Sequence, residues 1–292
     1  DGAQTKGLNF SLDDKIKIFN ALCDIEVDYI EGGWPGANPT DDKFFKMMKS
    51  SKKSKLVAFG MMRKKDKSSK NDPGLNAVLN SGVSSVCLVG KSWDFHVKNA
   101  LNVKLSENLD MISESIDYAS ERLDEVMFDA EHFFDGFKAN PNYSLESIQR
   151  AYESGATWII LCDTNGGTLP FELEYIIGEV KKIIPENILG VHFHNDTDNA
   201  TYNSLESVRN GVKQVQGTFN GLGERCGNAN LVNVVGNLVL KMGYKCKLKG
   251  KIKKLTSLSR FIDETLNRQP PRNLPFVGSS AFAHKGGLHI SA

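Results

Sequence analysis

Short apolar runs alternate with amphipathic stretches along most of the chain. Seven runs are rich in Val, Ile, Leu or Phe and end at Gly, Asp, Asn or a charged residue, a pattern that predicts strands. They span residues 29–34, 55–61, 84–89, 125–128, 157–162, 188–194 and 214–219. Apolar residues at helical spacing fill the stretches between them. This alternation predicts a parallel sheet with right-handed crossovers.

Capping residues mark several of the predicted helices. Ser11 is followed three residues later by an acid, which is typical of a capping box. Gly155 is expected to end a helix over 144–156, and Pro170 to begin one over 171–184. The helix and strand signals therefore agree on one repeating βα unit.

The number of units favours a closed barrel. Asp1 stands where a further, upstream strand would end, so we expect an α/β fold with a (βα)8 TIM barrel over 1–250, its first strand truncated. An open doubly wound sheet would place GxGxxG or GxxxxGK[ST] after its first strand, and the sequence contains neither motif. Residues 251–292, with a helix over 257–267 and a Pro-containing segment, are predicted to be a linker and the start of a small C-terminal subdomain.

Composition adds little beyond this class. The 292 residues are 40% hydrophobic and 24% charged, and a net charge of +1 gives no reason to expect nucleic acid or a membrane as partner. Five cysteines without a CxxC motif argue against a disulfide framework and favour a reducing compartment. We expect a cytoplasmic protein that extends beyond both ends of this sequence.

The strongest local motif is His192-Phe193-His194 at the end of the sixth predicted strand. Residues i and i+2 of a strand share a face, so both imidazoles would point into the mouth of the barrel. A bare HxH also arises by coincidence, with one His packed and one on the surface. The neighbouring strands decide between these interpretations.

Barrel closure would bring four metal-ligand side chains together. His192 and His194 end one strand, Asn228 follows the next, and Asp1 follows the strand after that, with neighbouring strands about 4.8 Å apart. Two imidazoles, a carboxylate and an amide oxygen suit Mg²⁺, Mn²⁺, Co²⁺ or Zn²⁺ and leave positions open for substrate. Without thiolates, a structural zinc is not favoured.

Two further segments are predicted to lie across the mouth. Glu131 follows the fourth predicted strand and could handle a proton, and Thr164, after the fifth, could hold a substrate carboxylate. Asp129, on the same strand face as Glu131, and Leu88 are expected to line the pocket. Each of these residues could instead belong to a turn, a solvated surface or the core.

These motifs in this order resemble the metal-dependent Claisen-condensing barrel family of 2-isopropylmalate, homocitrate and citramalate synthases, with hydroxymethylglutaryl-CoA lyase as a relative. The resemblance spans essentially the whole chain. Within the family, the segments 31–39 and 275–289 are most similar to citramalate synthases of the long type. The matching motifs are DGAQ at 1–4, FDAEH at 128–132, DTNG at 163–166, HFHND at 192–196 and GLGERCGN at 221–228.

The resemblance implies a role for most of these residues. The metal would be held by Asp1, His192 and His194, with Asn228 close to it or a ligand. Gln4 falls in the motif associated with substrate. Residues that the family uses to bond the oxo-acid carboxylate and to act as base are matched here by Thr164 for the first role and by Glu131 and His289 for the second.

The resemblance also implies a reaction. A divalent metal would hold a small 2-oxo acid, and the enolate of acetyl-CoA would attack its carbonyl carbon. Pyruvate, giving (R)-citramalate for isoleucine biosynthesis, is the expected acceptor, with 2-oxoisovalerate (a 2-isopropylmalate synthase) or a hydroxy-acyl-CoA lyase as alternatives. The full-length protein is expected to be a homodimer. An Arg before Asp1 and a Tyr beyond His289, both expected in the family, lie outside this sequence.

Two readings from other classes remain. Two His and one carboxylate also form non-haem Fe(II) oxygenase sites, although those usually stand on antiparallel barrels with HxD spacing. A non-catalytic binding protein is the other reading. It predicts that replacing His192 leaves ligand affinity intact and that no metal copurifies.

Overall fold

The computed structural model describes residues 1–286, and the sheet they form contains seven parallel strands in chain order. Each strand pairs with the one before it and the one after it, so the sheet order follows the sequence from one edge to the other. The strands are β1 Tyr29–Glu31, β2 Lys55–Met61, β3 Ser85–Lys91, β4 Glu125–Glu131, β5 Trp158–Asp163, β6 Leu189–Phe193 and β7 Gln214–Gln216.

Helices cover the outer side of this sheet. Ser11 and Asp14 form the predicted capping box at the start of the first helix. Within residues 1–286 the helices are α1 Leu12–Asp24, α2 Pro39–Met47, α3 Pro73–Leu79, α4 Asp94–His96, α5 Leu105–Ser120, α6 Phe133–Ala139, α7 Pro141–Glu153, α8 Pro170–Val180, α9 Ala200–Arg209, α10 Leu231–Leu240 and α11 Leu255–Thr265.

The α/β barrel class predicted from the alternation is confirmed. Within the described part of the chain, β1 and β7 are the two edges of the sheet and do not pair with each other. Asp1 lies beside the end of β6, because its carboxylate contacts His192 and His194.

The strands separate an outer core from a lumen. Leu88, Phe128 and Phe193 belong to the large cluster of buried side chains that includes the helices' apolar faces. Their neighbours on the other face line the lumen, where Cys87 and Met127 pack together. This alternation follows from the two-residue period of a strand and decides which residues reach the mouth.

Residues after α10 pack against the barrel through a second, smaller core. The 3₁₀ helix Lys247–Lys254 and α11 contribute Leu248, Leu258 and Ile262, which pack with Val232 of α10. The predicted boundary at residue 250 falls inside that 3₁₀ helix, and the division into a barrel and a subdomain stays a prediction. No helix within residues 1–286 has the length and apolar character needed to cross a membrane.

Candidate active site

Asp1 is placed by contacts between the start of the chain and the glycine-rich loop after β7. It precedes a 3₁₀ turn, Gly2–Gln4, and its carbonyl accepts a hydrogen bond from Gln4 N at 2.8 Å. The Thr5 hydroxyl donates to the Gly2 carbonyl and accepts from Gly223 N, both at 2.8 Å. These bonds hold the turn against the loop and fix Asp1 at the mouth.

The two imidazoles of the HxH motif meet the Asp1 carboxylate. Asp1 Oδ2 lies 2.6 Å from His192 Nε2 and 3.2 Å from His194 Nε2. The ligand atoms of all three residues lie within 4.8 Å of one another. Their side chains keep only 28%, 15% and 10% of their exposure, so the cluster is accessible but mostly shielded from water. The convergence expected from barrel closure is present for these three residues.

His194 presents one ring nitrogen to the cluster and the other to the backbone. Its Nδ1 lies 2.8 Å from the Thr164 carbonyl and donates to it, which leaves the Nε2 lone pair facing Asp1. Arg225 Nη2 also lies 2.8 Å from Nδ1, and as a pure donor it bonds the same carbonyl and the Asp196 carboxylate. Burial, then the neighbouring His192, lowers the pKa of His194 to about 4, so the ring is neutral near pH 7.

His192 is oriented by a side chain on the next strand. Its Nδ1 lies 2.8 Å from Gln216 Oε1, and Gln216 Nε2 donates to Asp129 Oδ1 at 3.1 Å. The bond to an amide oxygen requires a proton on Nδ1, and in the neutral ring this leaves the Nε2 lone pair of His192 facing Asp1. Sequence reasoning missed Gln216, although Gln-Val-Gln in β7 repeats the two-residue period of His-Phe-His in β6.

Asn228 lies on a loop that runs beside the end of β6. Its backbone forms a bridge with His194, and its Nδ2 donates to the Leu222 carbonyl at 2.8 Å. Its Oδ1 is buried and has no hydrogen-bond partner among the described residues. The loop needs glycine at 223, because φ is +155° there and an added Cβ would lie 2.2 Å from Asn228 Nδ2.

This donor set fits a divalent cation. Three lone-pair groups, the Asp1 carboxylate and the two Nε2 atoms, converge, and both imidazole protons are engaged elsewhere. Asp1 Oδ2 lies 2.6 Å and 3.2 Å from the two Nε2 atoms, and in the neutral tautomers these lone pairs repel one another unless a proton or a cation lies between them. The unpartnered Asn228 Oδ1 supplies a fourth oxygen ligand of the kind that hard cations take.

The opposite wall carries the residues predicted to handle the substrate. Glu131, at the end of β4, forms an ion pair with Lys91 at 2.5 Å between Oε2 and Nζ. Thr164 Oγ1 accepts a hydrogen bond from His132 N at 2.8 Å, so its own proton remains available for an anion. Lys91 is a second residue that the sequence reasoning missed, and its place two residues after Val89 on β3 puts it on the lumen face.

Two acids line the lumen between these walls. Burial raises the pKa of Asp129, whose residue is 6% exposed. Burial, with a smaller contribution from the Asp129 charge, also raises the pKa of Glu31 at the end of β1, although its side chain keeps 35% of its exposure because it borders the open mouth. Both acids are therefore harder to ionise than free carboxyl groups.

One predicted site residue does not lie where expected, and the predictions for two others stay untested. Leu88 is fully buried on the outer face of β3 and packs against the helices, so its expected place in the pocket is wrong. The register pairs Leu88 with Phe128, and Val89 with Asp129, which makes Val89 the lumen residue. Gln4 is exposed and its side chain makes no hydrogen bond among residues 1–286, and His289 lies outside the described residues.

A curled parallel sheet with a cation-binding set at the carboxyl ends of its strands defines a (βα) barrel of the metal-site class. Within that class, the family model described as HMGL-like matches residues 1–262. The chain belongs to the HMGL-like family.

Relatives of known activity match the chain along its whole length. It is 49% identical over 294 residues to an (R)-citramalate synthase from Aquifex aeolicus, covering 100% of this chain and 56% of that protein. It is 32% identical over 290 residues to a 2-isopropylmalate synthase from Sulfurisphaera tokodaii, covering 99% and 72%. The chain therefore spans a little over half the length of the citramalate synthase that it matches.

A solved structure shares the fold. An HMG-CoA lyase from Acinetobacter baumannii, in complex with coenzyme A and 3-methylmalate, superposes with a TM-score of 0.79 at 20% identity, covering 98% of this chain and 94% of that one. At this identity the likeness concerns the fold alone.

Proposed function

We propose that this chain is the catalytic barrel of an acyltransferase that condenses acetyl-CoA with pyruvate to give (R)-citramalate. The observation that carries the proposal is the meeting of Asp1, His192 and His194 at the mouth, in a chain whose relatives include (R)-citramalate synthases at 43–49% identity. Neither a non-catalytic binding protein nor a non-haem iron oxygenase accounts for both the cation-binding set and these relatives.

In the proposed site, Asp1, His192, His194 and Asn228 hold a divalent cation. The bound cation would act as a Lewis acid and template for the oxo acid. The tautomers of both histidines already direct their Nε2 lone pairs to one place, which is the arrangement that a ligand imidazole requires. Restoring Mg²⁺, Mn²⁺, Co²⁺ or Zn²⁺ one at a time, as described below, identifies the metal.

Thr164 is the proposed anchor of the oxo-acid carboxylate. Its hydroxyl oxygen is held by the bond from His132 N, so the O–H direction is restricted before substrate arrives. Its carbonyl also accepts from His194, which ties the anchor to the cation-binding ring through one residue. Because one residue contacts both groups, the Thr164 hydroxyl and the His194 ring keep a fixed spacing. A fixed spacing suits a site that must align the carboxylate and the oxo group of one small acid.

Glu131 is the proposed base for the methyl group of acetyl-CoA. Its carboxylate would take the methyl proton, and the resulting carbon nucleophile would form a C–C bond to the oxo carbon. Water would then cleave the thioester and release the CoA thiol. Lys91, 2.5 Å away, fixes the carboxylate position and supplies a positive charge close to the reacting groups. His289 is the other proposed base, and it lies outside the described residues.

The surroundings of the enzyme are also part of the proposal. The five cysteines are all free, and we propose a cytoplasmic enzyme that works on small molecules, as a homodimer in the full-length protein. Size-exclusion chromatography with light scattering on the full-length protein tests the oligomeric state.

The test is thiol release by the full-length protein that contains this chain. Acetyl-CoA would be supplied with pyruvate or with 2-oxoisovalerate, before and after treatment with a chelator and after restoring single metals. The proposal expects release with pyruvate, loss on chelation, and recovery with at least one of the four metals. Activity that survives complete metal removal, or no release with either acid, would contradict it.

Substrate choice decides between the two synthase activities. A 2-isopropylmalate synthase is supported by the S. tokodaii relative, of which this chain covers 72%. Preferred turnover of 2-oxoisovalerate would assign that activity. Splitting of a hydroxy-acyl-CoA without any condensation would assign a lyase.

A further inference from the structure

The chain of hydrogen bonds behind His192 leads away from the reacting groups and into the lumen. Gln216 stands between His192 and Asp129, with its Oε1 2.8 Å from His192 Nδ1 and its Nε2 3.1 Å from Asp129 Oδ1. The second Nε2 hydrogen has Cys87 Sγ at 4.0 Å. No other side chain within residues 1–286 forms a hydrogen bond with His192 Nδ1.

The amide orientation follows from Asp129. A carboxylate only accepts, so the NH2 end of Gln216 must face Asp129, and the carbonyl end must face the imidazole. An amide carbonyl also only accepts, so His192 must carry its proton on Nδ1. In this row of Asp129, Gln216 and His192, each group thereby fixes which atom of the next group donates and which accepts.

We propose that Gln216 is a positioning residue that fixes the tautomer of His192, with Asp129 setting the direction of the amide. The inference rests on the proposed cation site, because its consequence is a lone pair on His192 Nε2 aimed at Asp1. Without Gln216 the ring protons would be free to redistribute and the ring to rotate. Gln216 therefore supports cation binding without touching the cation.

Gln214 provides a matched control. It lies two residues earlier on β7, on the same lumen face, but contacts Met127 Sδ at 3.9 Å instead of a histidine. Its Oε1 is buried without a hydrogen-bond partner in the described part of the chain. Gln214→Leu thus removes a lumen glutamine of equal size while leaving the row at His192 unchanged.

The first experiment measures Zn²⁺ affinity by competition with a chromophoric chelator. Outer partners of ligand imidazoles typically contribute about 10–100-fold in affinity, so Gln216→Leu is expected to weaken Zn²⁺ binding by that factor. Gln214→Leu is expected to bind as the unmodified protein does. Equal affinity in the Gln216→Leu variant, or equal loss in both variants, overturns the inference.

A charge exchange tests the direction of the row. In Asp129→Asn, residue 129 can present either end of an amide, so Gln216 loses its fixed orientation and Zn²⁺ binding is expected to weaken. In the double variant Gln216→Glu with Asp129→Asn, the carboxylate at 216 accepts from both His192 and the new amide. Recovery of Zn²⁺ affinity to within about threefold of the unmodified protein supports the inference. Affinity no better than in Asp129→Asn contradicts it.

The tautomer itself is measured without metal. Long-range ¹H–¹⁵N correlation spectra of the metal-free protein with ¹⁵N-labelled histidine, assigned with His192→Ala, report which ring nitrogen carries the proton. The expected signal is Nδ1–H for His192, lost or mixed in Gln216→Leu. An unchanged tautomer in that variant overturns the inference. A protein that binds no Zn²⁺ yet shows this tautomer dependence overturns the proposed cation site while upholding the role of Gln216.

Discussion

Two acids on the same face of β4 lie at opposite ends of the lumen and have contrasting surroundings. Glu125, at the closed amino-terminal end, accepts hydrogen bonds from Tyr29 at 2.9 Å, Lys55 at 2.7 Å and Ser85 at 2.8 Å. Asp129, at the mouth, accepts one side-chain hydrogen bond from a nitrogen donor, Gln216 Nε2. Because Glu125 and Asp129 share a strand and a face, the difference in their hydrogen bonding comes from the side chains around them.

Their pKa values move in opposite directions for that reason. Burial alone would raise the pKa of Glu125, but the three hydrogen bonds outweigh it and the net shift is downward. Burial raises the pKa of Asp129, and the donors near it do not compensate. A buried carboxylate with a full set of hydrogen-bond donors is typical of a structural role. A buried carboxylate with few donors and a raised pKa is typical of a functional site.

The same contrast extends to the other lumen groups. At the amino-terminal end the Trp158 indole donates to Tyr29 at 3.3 Å, which extends the hydrogen-bonded layer around Glu125 to β5. At the mouth, Asn228 Oδ1 has no partner among residues 1–286, and two imidazole lone pairs face one carboxylate. The cation-binding groups thus stand at the carboxyl-terminal end of the strands, where Asn228 Oδ1 and the Asp1 carboxylate face the two imidazoles.

Removing a cation ligand should have the largest effect. In His192→Ala, activity is expected to fall by more than the roughly 100-fold that the hydrogen-bond partners of ligand residues contribute, and the protein is expected to lose its bound metal, because a ligand atom itself is removed. Metal analysis and the thiol-release assay measure the two quantities. Glu125→Gln, at the closed end, is the control and should retain its metal. Full metal content in His192→Ala would break the contrast between the two ends.

Replacing the proposed base should come next. Glu131→Gln keeps the side-chain shape but cannot take a proton, so kcat is expected to fall about 10²–10⁴-fold while Zn²⁺ affinity stays unchanged. The exposed Glu121 at the end of α5 is the control, and Glu121→Gln should leave kcat unchanged. If kcat survives in Glu131→Gln, the base lies elsewhere, and His289→Ala becomes the next variant to assay.

The sequence predicted the framework of this site because chain order and strand order coincide. His192 and His194 share a face by the period of two, and parallel pairing puts the ends of successive strands at one edge. Asp1 could be placed for the same reason. Distances between ligand atoms depend on the curl of the sheet and on the Thr5–Gly223 bond, which no local pattern specifies.

Leu88 shows where this reasoning fails. The apolar run over 84–89 predicts that this strand ends at the mouth, but it does not show which of the two adjacent residues, Leu88 or Val89, faces inward. That depends on register, and the structure pairs Asp129 with Val89. Because one residue of slip exchanges the two faces, a known lumen residue on a neighbouring strand is needed to settle it.

Stability measurements should separate the two acids by pH. Since the pKa of Glu125 is lowered on folding, its carboxylate stabilises the fold above the ordinary value of about 4.3, and this contribution is lost as pH falls through the lowered pKa. Glu125→Gln should therefore cost about 1–3 kcal/mol of unfolding free energy at pH 7 and less at pH 4. Urea unfolding at both pH values measures it.

Asp129→Asn should act in the opposite direction. Because the pKa of Asp129 is raised on folding, its ionised form opposes folding at neutral pH, and removing the charge should stabilise the chain by about 1 kcal/mol at pH 7. The gain should fade as pH falls through the raised pKa, and it should be gone once the pH lies below the ordinary value of about 3.9. A loss of stability at pH 7 would show that the hydrogen bond from Gln216 outweighs burial.

The smallest effect is expected at the pair Leu88 and Val89, and it tests which face of β3 meets the substrate. A cavity of about 20 Å³ beside Glu131 is lined by Val89, Met61 and Lys91. Val89→Ala enlarges that space, so kcat/KM for 2-oxoisovalerate relative to pyruvate is expected to rise about tenfold. Leu88→Ala should cost about 2–5 kcal/mol of stability and leave that ratio unchanged, since the side chain packs only against the outer core. A changed ratio in Leu88→Ala with none in Val89→Ala would mean that the pocket is shaped through the outer core instead of the lumen.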